Sequence, residues 1–72
     1  MKTFKVGDRV VVTGHIRQDD HSFYLKNGTV DNITDLRLYP VEVNFGNRTF
    51  IFMEHELELE SIYYSPLYQA LI

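Results

Sequence analysis

The residues whose types and spacing could do chemistry stand together near the end of the chain. Glu54-His55-Glu56-Leu57-Glu58-Leu59-Glu60 alternates charged and apolar positions without a break. Drawn as a strand, this stretch puts four carboxylates on one face and His55, Leu57 and Leu59 on the other, because successive side chains point to opposite faces. A tight helical turn around Glu54 to Glu56 is the other form it can take. Neighbouring carboxylates on a strand face lie roughly 6.6 Å apart, two residues of about 3.3 Å each. Such a row imitates a phosphate track, more sparsely than duplex DNA with its one charge per about 3.4 Å of each strand. Asp31, Asp35 or Glu42 from adjacent strands, or a second copy of the chain, would raise the density. The surface would then attract a basic DNA-binding protein and compete with DNA by electrostatic steering. The plain alternative is a solvated strand face that deters edge-to-edge pairing.

Other chemistry finds less to work with. His15 and His21 share a loop with Asp19 and Asp20. A zinc site wants a closed set of ligands at fixed spacing, and His15-x5-His21 matches no such signature. His55, set among glutamates, reads as packed or solvated. Ser22, Ser61 and Ser65 have no nucleophile elbow and no base nearby in sequence. The glutamates of 54–60 are close enough to pair, but nothing suggests a pocket that would hold a substrate between them. The expectation is a non-enzymatic protein with no catalytic residue, no metal and no cofactor.

The composition agrees with a binding module. Seventy-two residues make one domain, with seven Lys plus Arg against ten Asp plus Glu and a formal charge of −3. The balance is uneven. Residues 1–53 carry all seven basic residues and six acidic ones, a net of +1, whereas residues 54–72 carry four glutamates and no Lys or Arg, a net of −4. There is no Cys, which excludes disulfides and thiolate metal sites. A chain this short buries only roughly 60% of its unfolded surface, so five Phe and five Tyr must supply the core or a self-association surface. The composition is too apolar for a disordered chain. MKTFKVGDRVVV has neither the apolar run nor the cleavage site of a signal peptide. The longest uncharged stretch, Ser61 to Ile72, has 12 residues, too few to span a bilayer. A soluble, cytoplasmic protein is expected.

Five elements must position these residues. Lys5-Val6-Gly7-Asp8 is a turn into a first strand over residues 9–13, with Val10, Val11 and Val12 in a row. Residues 15–27 are polar without a clear period and read as a long loop or an irregular hairpin. Asn27-Gly28 is a turn signal, followed by a second strand over residues 29–33. Tyr39-Pro40 opens a third strand, in which Val41, Val43 and Phe45 alternate with Glu42 and Asn44. Gly46-Asn47 is a two-residue hairpin link to a fourth strand over residues 49–53, with Phe50 and Phe52 on one face and Ile51 and Met53 on the other. The acidic alternation supplies the fifth. Beyond it, Ser65 could cap a short helix with Pro66 at its first position. Five short strands with turns between them predict an all-β fold, a small antiparallel barrel that closes its own edges.

Val6-Gly7-Asp8-Arg9-Val10, Asn27-Gly28-Thr29-Val30, Tyr39-Pro40-Val41-Glu42-Val43-Asn44-Phe45, then Phe52, Glu56 and Leu57, resemble the SH3-like barrel superfamily. The run is similar to an accessory protein of photosystem I, to the ferredoxin–thioredoxin reductase variable chain and to the C-terminal part of the nitrile hydratase β subunit. The resemblance covers about residues 4–60 and implies a five-stranded barrel in a non-catalytic partner of a larger assembly. It carries over no functional residue, because fold alone does not carry function. The acidic alternation and the tail are departures from those relatives. In size and style the chain also resembles small phage-encoded proteins that disable host proteins, in whose case the host cytoplasm is the place of action.

The domain expectation is a barrel over 1–60 and an apolar, aromatic tail over 61–72. Ile62, Tyr63, Tyr64, Leu67, Tyr68, Leu71 and Ile72 either cover the barrel or form a dimer or partner interface, where Tyr is enriched. Ile51 and Met53 are the surface expected to meet the tail. A symmetric dimer would bring two acidic rows together. The function expected is a protein-interaction module whose acidic face (Glu54, Glu56, Glu58, Glu60, with Asp31, Asp35 and Glu42) blocks a basic nucleoid or transcription protein as a DNA mimic. The alternative is a small nucleic-acid-binding barrel using Arg9, Arg48 and the rings of Phe23, Tyr24 and Tyr39.

Overall fold

The computed structural model describes residues 4–18, 21–34 and 38–71. Its main element is one antiparallel sheet built from β1 (Arg9–Val12), β4 (Asn27–Ile33), β5 (Val41–Asn44), β6 (Thr49–Phe52) and β7 (Leu57–Leu59), in the order β6-β5-β4-β1-β7. A minimal hairpin, β2 (Arg17–Gln18) with β3 (His21–Ser22), stands apart from it. A 3-10 turn over Glu54–Glu56 joins β6 to β7, and two short helices, α1 (Glu60–Tyr63) and α2 (Pro66–Leu71), end the chain. Five antiparallel strands are therefore present as expected. Among the described residues β6 and β7 are edges that do not pair with each other, so the sheet is not closed.

The register divides the sheet into two faces. Val10 and Val12 of β1 stand beside Leu59 and Leu57 of β7 on the inner face, where Val30, Val41, Val43, Phe50 and Phe52 join them in one buried cluster. Phe4 and Phe23 complete that cluster from outside the sheet. Phe23 makes ring contacts with Phe45, Phe50 and Phe52 at centroid distances of 5.1, 4.5 and 5.6 Å. The polar segment 15–27 is thus an irregular hairpin that carries one core aromatic. Its closure rests on Phe23 N–H donating to the Ile16 carbonyl at 2.9 Å and Leu25 N–H donating to the Val12 carbonyl at 2.7 Å. Leu25 takes the left-handed conformation, φ 62°, that lets the chain reverse there.

Asn27-Gly28 is not the turn that its composition signals. Both residues lie inside β4, paired with Val11 and Val10. Gly28 stands there because the next strand crosses too close for a side chain. A Cβ on it would come within 2.5 Å of Val43 Cγ1 and 2.9 Å of the Asn44 carbonyl oxygen. Gly46 matches its expectation: φ is 106°, its N–H bonds the Asn44 side-chain oxygen at 2.7 Å, and Phe45 N–H bonds the Arg48 carbonyl at 2.9 Å across the two-residue link. The tail cap also matches. The Ser65 hydroxyl accepts from Tyr68 N–H at 3.2 Å, with Pro66 at the first helical position.

Replacing Gly28 by Ala should cost about 1 to 3 kcal/mol of stability, because β5 backbone must move to admit the methyl group. Urea unfolding of the variant checks this, and a midpoint equal to that of the parent chain would contradict the close approach.

Candidate functional site

The seven-residue alternation does not form one strand. Met53 is extended, with φ −82° and ψ 152°; the chain then turns through Glu54–Glu56, runs as strand for Leu57–Leu59, and enters α1 at Glu60. The tight turn around Glu54 to Glu56 is the form taken. Its physical reason is local. The Glu56 carboxylate accepts the Met53 N–H at 2.7 Å, and Glu56 N–H bonds the Met53 carbonyl at 3.0 Å, which closes the turn at both ends. Thr13 N–H then bonds the Glu56 carbonyl at 2.9 Å and carries the β1–β7 pairing on to the turn.

The four carboxylates consequently have separate settings. Glu54 is half-buried on the turn. Glu56 holds the turn. Glu58 stays on β7, opposite Val11, and its carboxylate accepts the Leu59 N–H at 3.1 Å. Glu60 reaches back over the sheet, where it accepts from Asn27 Nδ2 at 2.7 Å and pairs with the Arg9 guanidinium at 3.4 Å. Glu42 lies on β5, with β4 and β1 between it and β7, and accepts from Asn32 Nδ2 at 3.2 Å. Asp31 is exposed at the irregularity in β4–β5 pairing. Asp35 lies outside the described residues. Glu54, Glu56, Glu58 and Glu60 therefore do not form a single strand face. Sequence alternation could not show this, because it fixes neither the turn nor the internal partners.

What the structure does bring together is the tail and the outer face of β1. Arg9, Val11, Asn27, Thr29 and Glu58 share that face by register. Val11 is fully buried yet stands outside the inner cluster. Its cover is α1, which packs on β1 and β7. Around it run polar contacts: Arg9 Nη1 donates to Thr29 Oγ1 at 2.9 Å, Asn27 Nδ2 to the Tyr64 hydroxyl at 3.3 Å, and Glu60 accepts as above. The tail docks here through α1. Ile51 lines a recess of about 420 Å³ with His15, Ile16, Arg17, Tyr39 and Glu56, and Met53 is half-buried beside the turn. Within the tail Tyr63 packs its ring against Tyr64 and Tyr68, at centroid distances of 5.1 and 5.4 Å. Gln69 donates its side-chain amide to the Tyr63 carbonyl. The Leu71 side chain lies outside the described residues.

The alternative set disperses too. Arg9 is on the outer face of β1 beside Glu60, while Arg48 precedes Thr49 on β6 with its guanidinium 4.9 Å above the Phe50 ring. Phe23 is buried, and Tyr24 already stacks on His15 with centroids 4.0 Å apart. Tyr39 remains on the wall of the Ile51 recess. Among the described residues no three His, Asp or Glu side chains come together as a metal site would need, and no helix is long and apolar enough to cross a membrane. The chain matches no family model and no curated protein.

Glu60→Ala should loosen the tail by about 1 to 2 kcal/mol, since Asn27 and Arg9 lose a charged acceptor. Amide exchange over residues 60–71 should speed up while the amides of β4 and β5 keep their protection. Unchanged exchange in the tail would show that Glu60 does not hold it.

Proposed function

We propose that the chain is a non-enzymatic protein-interaction module, built on an SH3-like barrel, which engages its partner through the outward side of the docked tail. The observation that carries this reading is the tail's division of labour. One side of α1 covers Val11, while Ile62, Tyr64 and Leu67 remain 43, 55 and 77% exposed on the same short segment. Exposed apolar residues gathered on an ordered segment fit an interaction surface better than scattered ones do. The barrel reading draws support from the antiparallel strand order and from the 3-10 turn that leads β7 back to β1.

The charge of residues 54–72, four glutamates without a Lys or Arg, favours a partner with a basic surface. The sharpest form of the reading is a DNA-mimicking inhibitor of a nucleoid or transcription protein acting in the cytoplasm, with Glu54, Glu56, Glu58 and Glu60 as its acidic groups. Glu56, Glu58 and Glu60 each also accept a hydrogen bond within the molecule. A second copy of the chain is the other occupant that the apolar side suits, giving a homodimer.

Capture from cell lysate should weaken at least tenfold with Ile62→Asp plus Leu67→Asp, a loss that about 1.4 kcal/mol produces. Light scattering on the same pair of chains separates self-association from a foreign partner. Glu54→Gln plus Glu58→Gln should reduce capture in a salt-dependent way, and the module should release labelled duplex DNA from a basic nucleoid protein without binding the DNA itself. Capture indifferent to both tail substitutions would overturn the reading. Direct DNA binding would exclude the mimic.

A further inference from the structure

Two independent constraints place a chemically labile pair of residues under the tail. Packing requires Gly28, since a Cβ there would come within 2.5 Å of Val43 Cγ1 and 2.9 Å of the Asn44 carbonyl oxygen. Tail docking requires Asn27, whose Nδ2 donates to the Glu60 carboxylate at 2.7 Å and to the Tyr64 hydroxyl at 3.3 Å. A side chain opposite an ionised carboxylate must bring N–H or O–H donors, because the carboxylate only accepts. The outcome is Asn followed directly by Gly. In that order the side-chain amide is open to attack by the next backbone nitrogen, because no Cβ stands beside that nitrogen. Asn32, Asn44 and Asn47 are followed by Ile33, Phe45 and Arg48, each of which carries a Cβ.

The reaction consumes only water. The Gly28 nitrogen bonds to Asn27 Cγ, the Cγ–Nδ2 bond breaks, and the side-chain nitrogen leaves as ammonia with the Gly28 amide proton. Water then opens the cyclic imide at one of its two carbonyls and leaves Asp or its β-linked isomer at position 27. The folded strand opposes the first step. Val12 N–H bonds the Lys26 carbonyl at 2.9 Å and Val30 N–H bonds the Asp8 carbonyl at 2.8 Å. Gly28 pairs with Val10 midway between them, so the alternation of an antiparallel ladder ties the Gly28 backbone to β1 as well. Attack therefore needs Gly28 N–H to leave the ladder and Asn27 Nδ2 to leave the tail, which happens only when β1 and β4 part.

We propose that Asn27-Gly28 is a deamidation site, held back while β1 and β4 are paired, whose conversion releases the tail from the outer face of β1. An ionised Asp at position 27 donates nothing to Glu60 and sets a second carboxylate against the first. The Arg9 guanidinium, 3.4 Å from Glu60, is then shared between two anions instead of serving one. Like charges placed opposite each other oppose the docking that the amide supports. The β-linked isomer adds a backbone atom to β4 and disturbs its pairing with Val11. Loss of ammonia makes the release one-way. It uncovers Val11, and it rests on how the tail is docked, whatever the tail binds.

The test has two parts, both on the full chain. Peptide mass spectrometry follows the amide-to-acid conversion at neutral pH, in buffer and in unfolding urea. In urea Asn27 should convert ahead of Asn32, Asn44 and Asn47, and Gly28→Ala should slow it. In buffer the same conversion should be at least about tenfold slower. Amide exchange then reads the consequence. Asn27→Asp should speed exchange over residues 60–71 at least about tenfold while β5 keeps its protection. Asn27→Ala, which loses the donors without adding a charge, should fall between Asn27→Asp and the parent. Conversion of Asn27 no faster than of the other asparagines in urea, or equal in buffer and urea, overturns the site. Tail exchange in Asn27→Asp no faster than in Asn27→Ala overturns the release, and so does loss of β5 protection together with the tail.

Discussion

The rest of the structure depends on β1 being apolar on both faces. Val10, Val11 and Val12 are consecutive and all fully buried, yet a strand can turn only alternate residues to one side. Val10 and Val12 join the inner cluster, which leaves Val11 on the outer face of a sheet too small to bury it unaided. Something must cover that position, and the chain itself supplies the cover. The line from β7 into α1 returns the backbone over β1 within one residue of the last strand. The tail is for this reason part of the fold, while its far side stays open to other molecules.

The cover also explains where the charges went. A carboxylate at Glu60 lies just where α1 begins to cross the sheet, and Arg9 and Asn27 present their polar groups to it from two neighbouring strands. Glu56 is consumed one step earlier, tying the 3-10 turn at Met53. The segment that looks most like a free acidic surface is therefore partly the fastening that holds β6, β7 and α1 in sequence. Beyond it, Ile62, Tyr64 and Leu67 stay exposed on the tail.

Much of the fold was legible in the sequence. Alternation in Val41–Phe45 marked one strand and its inner face, the apolar run of residues 49–53 marked the next, Gly46-Asn47 marked the link between them, and Ser65-Pro66 marked the start of α2. These signals succeed because each depends on neighbours within a few residues. The failures involve partners far along the chain. Gly28 reads as a turn residue until β5 is seen to cross it. Phe23 is hidden in a polar stretch because the ring is inward while its neighbours are not. The alternation of residues 54–60 was legible as either a strand or a turn, and the choice was made by Glu56, Met53 and Thr13 together. The recess at Ile51 draws side chains from several elements, and no spacing in the sequence announces it.

The central claim is that the tail is held on the outer face of β1 as the cover of Val11. It is tested most directly by urea unfolding, with light scattering in parallel, of a chain ending at Leu59. Loss of the cover should lower stability by about 2 kcal/mol or more, since a buried valine and its surrounding hydrogen bonds are opened to water. A truncated chain that keeps the parent's unfolding midpoint would contradict the claim.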